Sequence, residues 1–131
     1  MPIHIGFFRD FGSSDTLLIE GDLAGLRQLA DVFRQLVAGG GSTAIHELAF
    51  VAAHHGIRVF ASIADRDFGA SINGLDVSWK RSRTGWQETA EKVNALATTT
   101  AAHQYLGIDE DEVTVMASCG EYGDAWWTQN G

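Results

Sequence analysis

From Asp22 to Gly39 the chain carries one apolar stripe at helical spacing, and that stripe decides what the rest must be. Leu23, Leu26, Leu29, Ala30, Phe33, Leu36 and Val37 recur every three or four residues, while Arg27, Gln28, Asp31, Arg34 and Gln35 fall on the other side. Asp22 can accept from the free amides of a first turn, and Gly39 supplies a stop. The spacing predicts a helix over 23–38. A helix with one apolar face needs a second surface to cover it. The flanking segments offer strands: IHIGFF at 3–8 and TLLIEG at 16–21, joined across a Gly-Ser-Ser turn as a candidate hairpin.

Further strands are predicted at IRVFASIA, 57–64, at LDVSWKRS, 75–82, and at EVTVMAS, 112–118, where apolar and polar residues alternate. Residues 43–55, TAIHELAFVAAHH, fit either an alanine-rich helix or the first arm of a hairpin turning at His55-Gly56. The neighbouring strand favours the hairpin. Thr84 and Gln87 have capping-box spacing before a second helix, expected over about 85–105, with Trp86, Ala90, Val93, Ala97 and Ala101 as its stripe. The tail CGEYGDAWWTQNG reads as irregular or as a short edge element. No internal repeat is visible. The expected fold is α+β: one mostly antiparallel sheet of about five or six strands, with both helices on one face.

A chain of 131 residues that is 45% apolar and 20% charged can close a core as one domain spanning 1–131. The single cysteine, Cys119, rules out an internal disulfide and a multi-cysteine zinc site. The start, MPIHIGFFRDFG, lacks the basic and apolar regions of a secretory signal, and no window holds 18 uninterrupted apolar residues. A cytoplasmic chain of bacterial type, without membrane association, is expected.

The formal net charge of −8 argues against nucleic-acid binding, which relies on Lys and Arg at phosphates. Its distribution is uneven. Residues 1–83 hold nine acids and eight bases, a net of −1; residues 84–131 hold eight acids against Lys92 alone, a net of −7.

Motifs of known chemistry are absent. His46-Glu47 lacks the second histidine of a zincin helix, because position 50 is Phe, and His54-His55 are adjacent rather than spaced as ligands. Asp109, Glu110, Asp111 and Glu112 lack the glycine and spacing of a calcium loop and read as a solvated turn. Gly69, Gly74 and Gly85 do not make a phosphate loop. Asp65-Arg66-Asp67 reads as loop charge. Lys80-Arg81-Ser82-Arg83 reads as a polar strand end facing acidic loops of its own fold. Cys119 has acidic rather than basic neighbours, so it reads as a buried, inert thiol. No metal or cofactor is expected.

The most unusual stretch is GEYGDAWW at 120–127. Tyr and Trp make strong contact anchors, and carboxylates beside them select basic partners and speed encounter. The competing reading is that Trp126 or Trp127 closes the core over the sheet.

GDLAGLRQLA at 21–30, AHQYLG at 102–107 and SCGEYGDAWW at 118–127 together resemble a family of small bacterial proteins with no established activity, so the resemblance implies no catalytic residues. The small acidic format also resembles immunity proteins of bacterial toxin systems. The leading expectation is a non-catalytic module that binds a basic protein, with an immunity-type inhibitor as one form. Glu121, Tyr122, Asp124, Trp126 and Trp127 would make the contact, and Asp109 to Glu112 would supply longer-range attraction. One alternative is a small-ligand or enzyme domain whose pocket gathers His46, His103, Cys119 and Glu121. Another is a structural homodimer.

Overall fold

The computed structural model describes residues 3–12, 14–99, 101–107 and 112–130. Strands β1 (Ile3–Phe11) and β2 (Ser14–Gly21) precede helix α1 (Leu23–Gly39). Strand β3 (Ser42–Ala44), a 3-10 turn (Ile45–Glu47) and strands β4 (Val51–Ala53), β5 (Arg58–Ile63), β6 (Gly69–Asn73) and β7 (Asp76–Arg81) follow. Helix α2 (Arg83–Leu96), strands β8 (Ala102–Tyr105) and β9 (Thr114–Cys119) and helix α3 (Asp124–Asn130) complete the order.

The α+β class holds, and β1 and β2 form the expected hairpin, His4 opposite Glu20 through Phe8 opposite Thr16. Helix α1 begins where the Asp22 side chain accepts from the Gly25 amide at 2.8 Å. The single antiparallel sheet does not hold. There are two mixed sheets, ordered β4-β1-β2-β9-β8 and β3-β5-β7-β6. Three ladders, β1–β4, β2–β9 and β5–β7, are parallel, because strands distant in sequence meet beside the hairpins.

Residues 43–55 make no hairpin. β3 pairs with β5 in one sheet and β4 pairs with β1 in the other, so this segment crosses between sheets. Helix α2 is shorter than expected and starts earlier. Ser82, rather than Thr84, caps it by accepting from the Gly85 amide at 3.0 Å. It ends where the hydroxyls of Thr98 and Thr99 donate to the carbonyls of Ala95 and Leu96, both at 2.7 Å. Those bonds compete with helix continuation, and Ala101 lies exposed outside the helix. The tail is a third helix, not an edge strand.

A repeat does exist in topology. β1-β2-α1-β3-β5 and β6-β7-α2-β8-β9 each run hairpin, helix, then a second antiparallel pair. In both, the helix leaves one sheet and delivers the chain to the other. The second pair of each half therefore lies beside the hairpin of the opposite half, through β5–β7 and β2–β9. Every buried position of α1 recurs 60 residues on in α2: Gly25 and Gly85, Leu26 and Trp86, Leu29 and Thr89, Ala30 and Ala90, Phe33 and Val93, Leu36 and Leu96. Residue identities agree at three of these six pairs and differ at the other three, so the sequence shows only part of what the packing repeats.

The two helices pack on each other, and each touches both sheets. Their apolar faces meet Ile3, Ile5, Leu17, Ile19, Val115 and Ala117 of one sheet and Val59, Ala61, Val77 and Trp79 of the other in one continuous core. At its centre Phe33 stacks on Trp86 with centroids 5.1 Å apart, and Trp79 meets Trp86 edge-on at 4.8 Å.

The basic strand end does face acids of its own fold. Arg81 is 3% exposed. It donates to Thr89 Oγ1 at 2.8 Å and to the Leu106 carbonyl at 3.1 Å, with Asp67 3.4 Å from its Nε. Burial pushes the Asp67 carboxyl up, but the Ser82 amide and hydroxyl and the Arg81 charge outweigh it and hold the carboxyl below the usual range. Asp67 thus supports both the buried cation and the α2 cap. Asp67→Asn is expected to destabilise the fold by roughly 2 kcal/mol, less than for a sealed pair because the Asp67 side chain is 34% exposed. Since the folded pKa is depressed, this increment is present above the unfolded value and lost in acid. Denaturant melts of both proteins should therefore differ at neutral pH and converge at about pH 2.

Candidate functional site

Alternation along β1, β2 and β9 turns His4, Gly6, Phe8, Leu18, Glu20, Met116 and Ser118 away from the two large helices, onto the outer face of the five-stranded sheet. The registers place His4 opposite Glu20, Glu20 opposite Ser118 and Ser118 opposite His103. One polar row, His4-Glu20-Ser118-His103, therefore crosses four adjacent strands. Beside it lies an apolar patch of Leu18 and Met116, which Trp127 of α3 covers.

Trp127 is 2% exposed. Its ring stacks on His4 at 5.1 Å and 14°, and on His54 at 4.6 Å and 27°. Gly6 makes room for it: a Cβ there would sit 2.9 Å from Trp127 Cζ3. The indole Nε1 has no hydrogen-bond partner, so stacking and contact hold the ring. His4 Nδ1 lies 2.9 Å from His54 Nε2, and His4 Nε2 lies 3.2 Å from Asp124 Oδ1. A carboxylate only accepts, so with both rings neutral His54 donates to His4 and His4 donates to Asp124. Burial lowers the His54 pKa, and the nearby rings of His4 and His55 lower it further. His55 reaches the Asn130 carbonyl at 3.2 Å, fixing the far end of α3.

Seating α3 closes a pocket of about 490 Å³ over the carboxyl ends of β2 and β9. Glu20, Asp22 and Leu23 line it from the β2–α1 corner, and His4, Thr99, Cys119, Tyr122 and Asp124 line the remainder. Glu20 is 4% exposed. Its Oε1 accepts from the Tyr122 amide at 3.2 Å, while Oε2 has no hydrogen-bond partner. The Ser118 hydroxyl donates at 2.8 Å to Glu121 Oε1. Burial raises the Glu20 pKa above 4.5, and the Glu121 carboxylate adds to the rise; the Ser118 hydroxyl and the amides of Tyr122 and Glu121 oppose it. Cys119 is a buried, free thiol whose pKa burial raises, with the Glu20 and Asp22 charges adding to the effect. The acids that act on it are Glu20 and Asp22, brought near by the fold, rather than its sequence neighbours Glu121 and Asp124.

The residues expected to act together do not all meet. His46 sits in the 3-10 turn, accepting from the Val59 amide at 3.0 Å and packing edge-on to Phe60, where it pins the crossover to β5. His103 pairs with Glu121, both carboxylate oxygens 3.1 Å from its Nδ1. These two line a neighbouring hollow of about 380 Å³, apart from Cys119. The four-residue pocket of the alternative reading therefore does not form. Trp127 is also corrected: it is a buried latch, not a contact residue. Trp126 is half-buried, 4.8 Å from the Tyr122 ring and 5.3 Å from Phe8, and Glu121 and Asp124 are exposed beside it. Glu112 is exposed, and Asp109, Glu110 and Asp111 lie outside the described residues.

Sequence reasoning missed His4, Glu20 and His54. Glu20 carried a signal, as the one acid inside an otherwise apolar strand, LLIEG. His4 and His54 carried none, since they meet only once β4 lies parallel to β1. Among the described residues, no group of three or more His, Cys, Asp or Glu is placed to hold a metal, and no helix is long and apolar enough to cross a membrane. The chain matches no protein-family model, no curated protein and no solved structure.

Two stability measurements check this geometry. Gly6→Ala should lower stability by about 1–3 kcal/mol, the usual effect of overpacking, and make an additional tryptophan accessible to acrylamide. Retained stability with unchanged quenching would contradict the seat. Glu20→Gln should act in the opposite sense. A folded pKa raised above the unfolded value means the ionised form opposes folding above that pKa, and acid relieves it. The variant should melt higher than the parent at about pH 7.5, and the gain should vanish near pH 4, where the parent is itself protonated.

Proposed function

We propose that the chain is a non-catalytic module that binds a basic protein partner and masks it, as an immunity-type inhibitor would. The observation that carries this reading is the half-exposed ledge of Tyr122 and Trp126, flanked by the Asp124 side chain, 68% exposed, and by the partly covered Glu121 carboxylate that His103 holds. Phe8, Phe11 and Trp127 back the ledge at ring distances of 5.0–6.3 Å, so its rotamers are fixed before any partner arrives. Anchors fixed in advance lose little entropy on binding. The excess of acid over base after residue 83 would attract a cationic surface from a distance.

The mechanism is occlusion. Trp126 and Tyr122 fill a hollow on the partner, and Glu121 and Asp124 pair with its Arg and Lys. A second reading, a small-ligand domain, draws on the 490 Å³ pocket with its buried carboxylate.

Binding to the basic product of an adjacent toxin-like gene, measured by interferometry, tests the first reading. Trp126→Ala should weaken it by roughly tenfold or more through faster dissociation. Glu121→Gln should chiefly slow association and flatten its salt dependence. Unchanged kinetics in both variants would end the assignment.

A further inference from the structure

We infer that the docking ledge carries its own acid release: when the paired rings of His4 and His54 are both protonated, α3 leaves the sheet, and Trp126 is no longer held beside Tyr122 for a partner. The release of the partner rests on the docking role just proposed. The latch itself does not depend on it.

The polar ties of α3 run through histidines. Among the described residues, the helix is hydrogen-bonded to distant parts of the chain at two points, His4 Nε2 with Asp124 Oδ1 and His55 Nε2 with the Asn130 carbonyl, both at 3.2 Å. The Trp127 indole has no hydrogen-bond partner and lies on the faces of His4 and His54. A helix of seven residues has little stability of its own, so what happens at these rings decides whether it stays.

The pair itself has room for one hydrogen. His4 Nδ1 and His54 Nε2 are 2.9 Å apart, and one of them must accept. One added proton is tolerated: a His4 imidazolium donates from Nδ1 to His54 and from Nε2 to Asp124, and an indole face suits a single cation. The apolar seat of Trp127 on Leu18 and Met116 still holds the helix at this stage. A second proton sets two N–H donors against each other and places two like charges on rings 5.1 Å apart. In a partly buried site that repulsion exceeds what the indole returns.

The surroundings offer no relief on the His54 side. Asp124 touches His4, Glu20 lies opposite it on β2, and Asp22 lines the same pocket. The charged groups acting on His54 are His4 and His55. Burial first, then these two neighbours, holds the His54 pKa below 6.5, so the seated helix resists a proton that the released form accepts. Seating is therefore strongest above about pH 6.5 and weakens as pH falls below it. Both rings are partly exposed, so solvent protons reach them.

The full-length protein carrying 5-fluorotryptophan is titrated from about pH 7.5 to about pH 4.5, across the range in which histidine charges. The Trp127 signal should pass from protected to solvent-exposed while Trp79 and Trp86 stay protected. His54→Phe, which keeps a ring for the indole and cannot take a proton, should hold Trp127 protected throughout. Affinity for the basic gene product should fall by roughly tenfold or more over the same range in the parent and by less than about twofold in His54→Phe. Should His54→Phe not fold, histidine 13Cε1 shifts of the parent decide: uptake of the second proton by the pair must share its midpoint with the opening of Trp127. Separate midpoints, a Trp127 signal still protected at the acid end, simultaneous exposure of all four tryptophans, or the same opening in His54→Phe overturns the latch. A gene product that binds at no pH ends the docking role, and the fluorine titration still decides the latch.

Discussion

The placement of one indole ring governs the chemistry of this molecule. Trp127 lies nearly flat against the hydrogen-bonded pair of His4 and His54, over the space left by Gly6. That seat brings a seven-residue helix down on the open face of the five-stranded sheet, and a helix so short has little stability of its own. Everything functional follows from it. Tyr122 and Asp124 become walls of a pocket, Glu20 is covered, and Trp126 is turned outward beside Glu121. Without the seat the face would be a strip of apolar and charged residues open to solvent.

Other parts of the fold serve to hold that face in place. The parallel pairing of β2 with β9 joins the first quarter of the chain to its end, aligning Glu20 with Ser118 and Gly21 with Cys119. The helix pair fills the far side of the same sheet with an apolar core, which braces the sheet from beneath. The crossing of each half into the other's sheet makes this necessary: neither half can complete its own sheet. Asp67, Arg81 and Ser82 do for the second half what Asp22 and the apolar corner of Ile3 do for the first, which is to fix where a strand ends and a helix begins.

Local order was readable where a short window contains its own cause. Asp22, the 3.6-residue stripe and the glycines after it define α1; apolar runs about a Gly-Ser-Ser turn define β1 and β2, and face patterning defines β7 and β9. Reading failed where the cause is distant. Ala97 to Ala102 is helix-compatible by composition, yet β8 forms because β9 offers it an edge. The 43–55 segment contains both a strand for each sheet and the turn between them, which no periodicity can express. The site was legible in part. The aromatic–acidic tail was found from its composition, but which tryptophan is sealed depends on Gly6, His4 and His54, residues more than 70 positions away. Glu20 was passed over although an acid inside an apolar strand is a readable signal, and only the fold gives it a pocket.

The division of labour between the two adjacent tryptophans can be measured directly. The protein has four tryptophans, so biosynthetic 5-fluorotryptophan gives four assignable 19F signals. Solvent isotope shifts should mark the Trp79, Trp86 and Trp127 signals as protected and the Trp126 signal as exposed, and addition of the basic partner should protect Trp126. A Trp127 signal open to solvent in the free protein, or a Trp126 signal unmoved in the complex, would contradict the account.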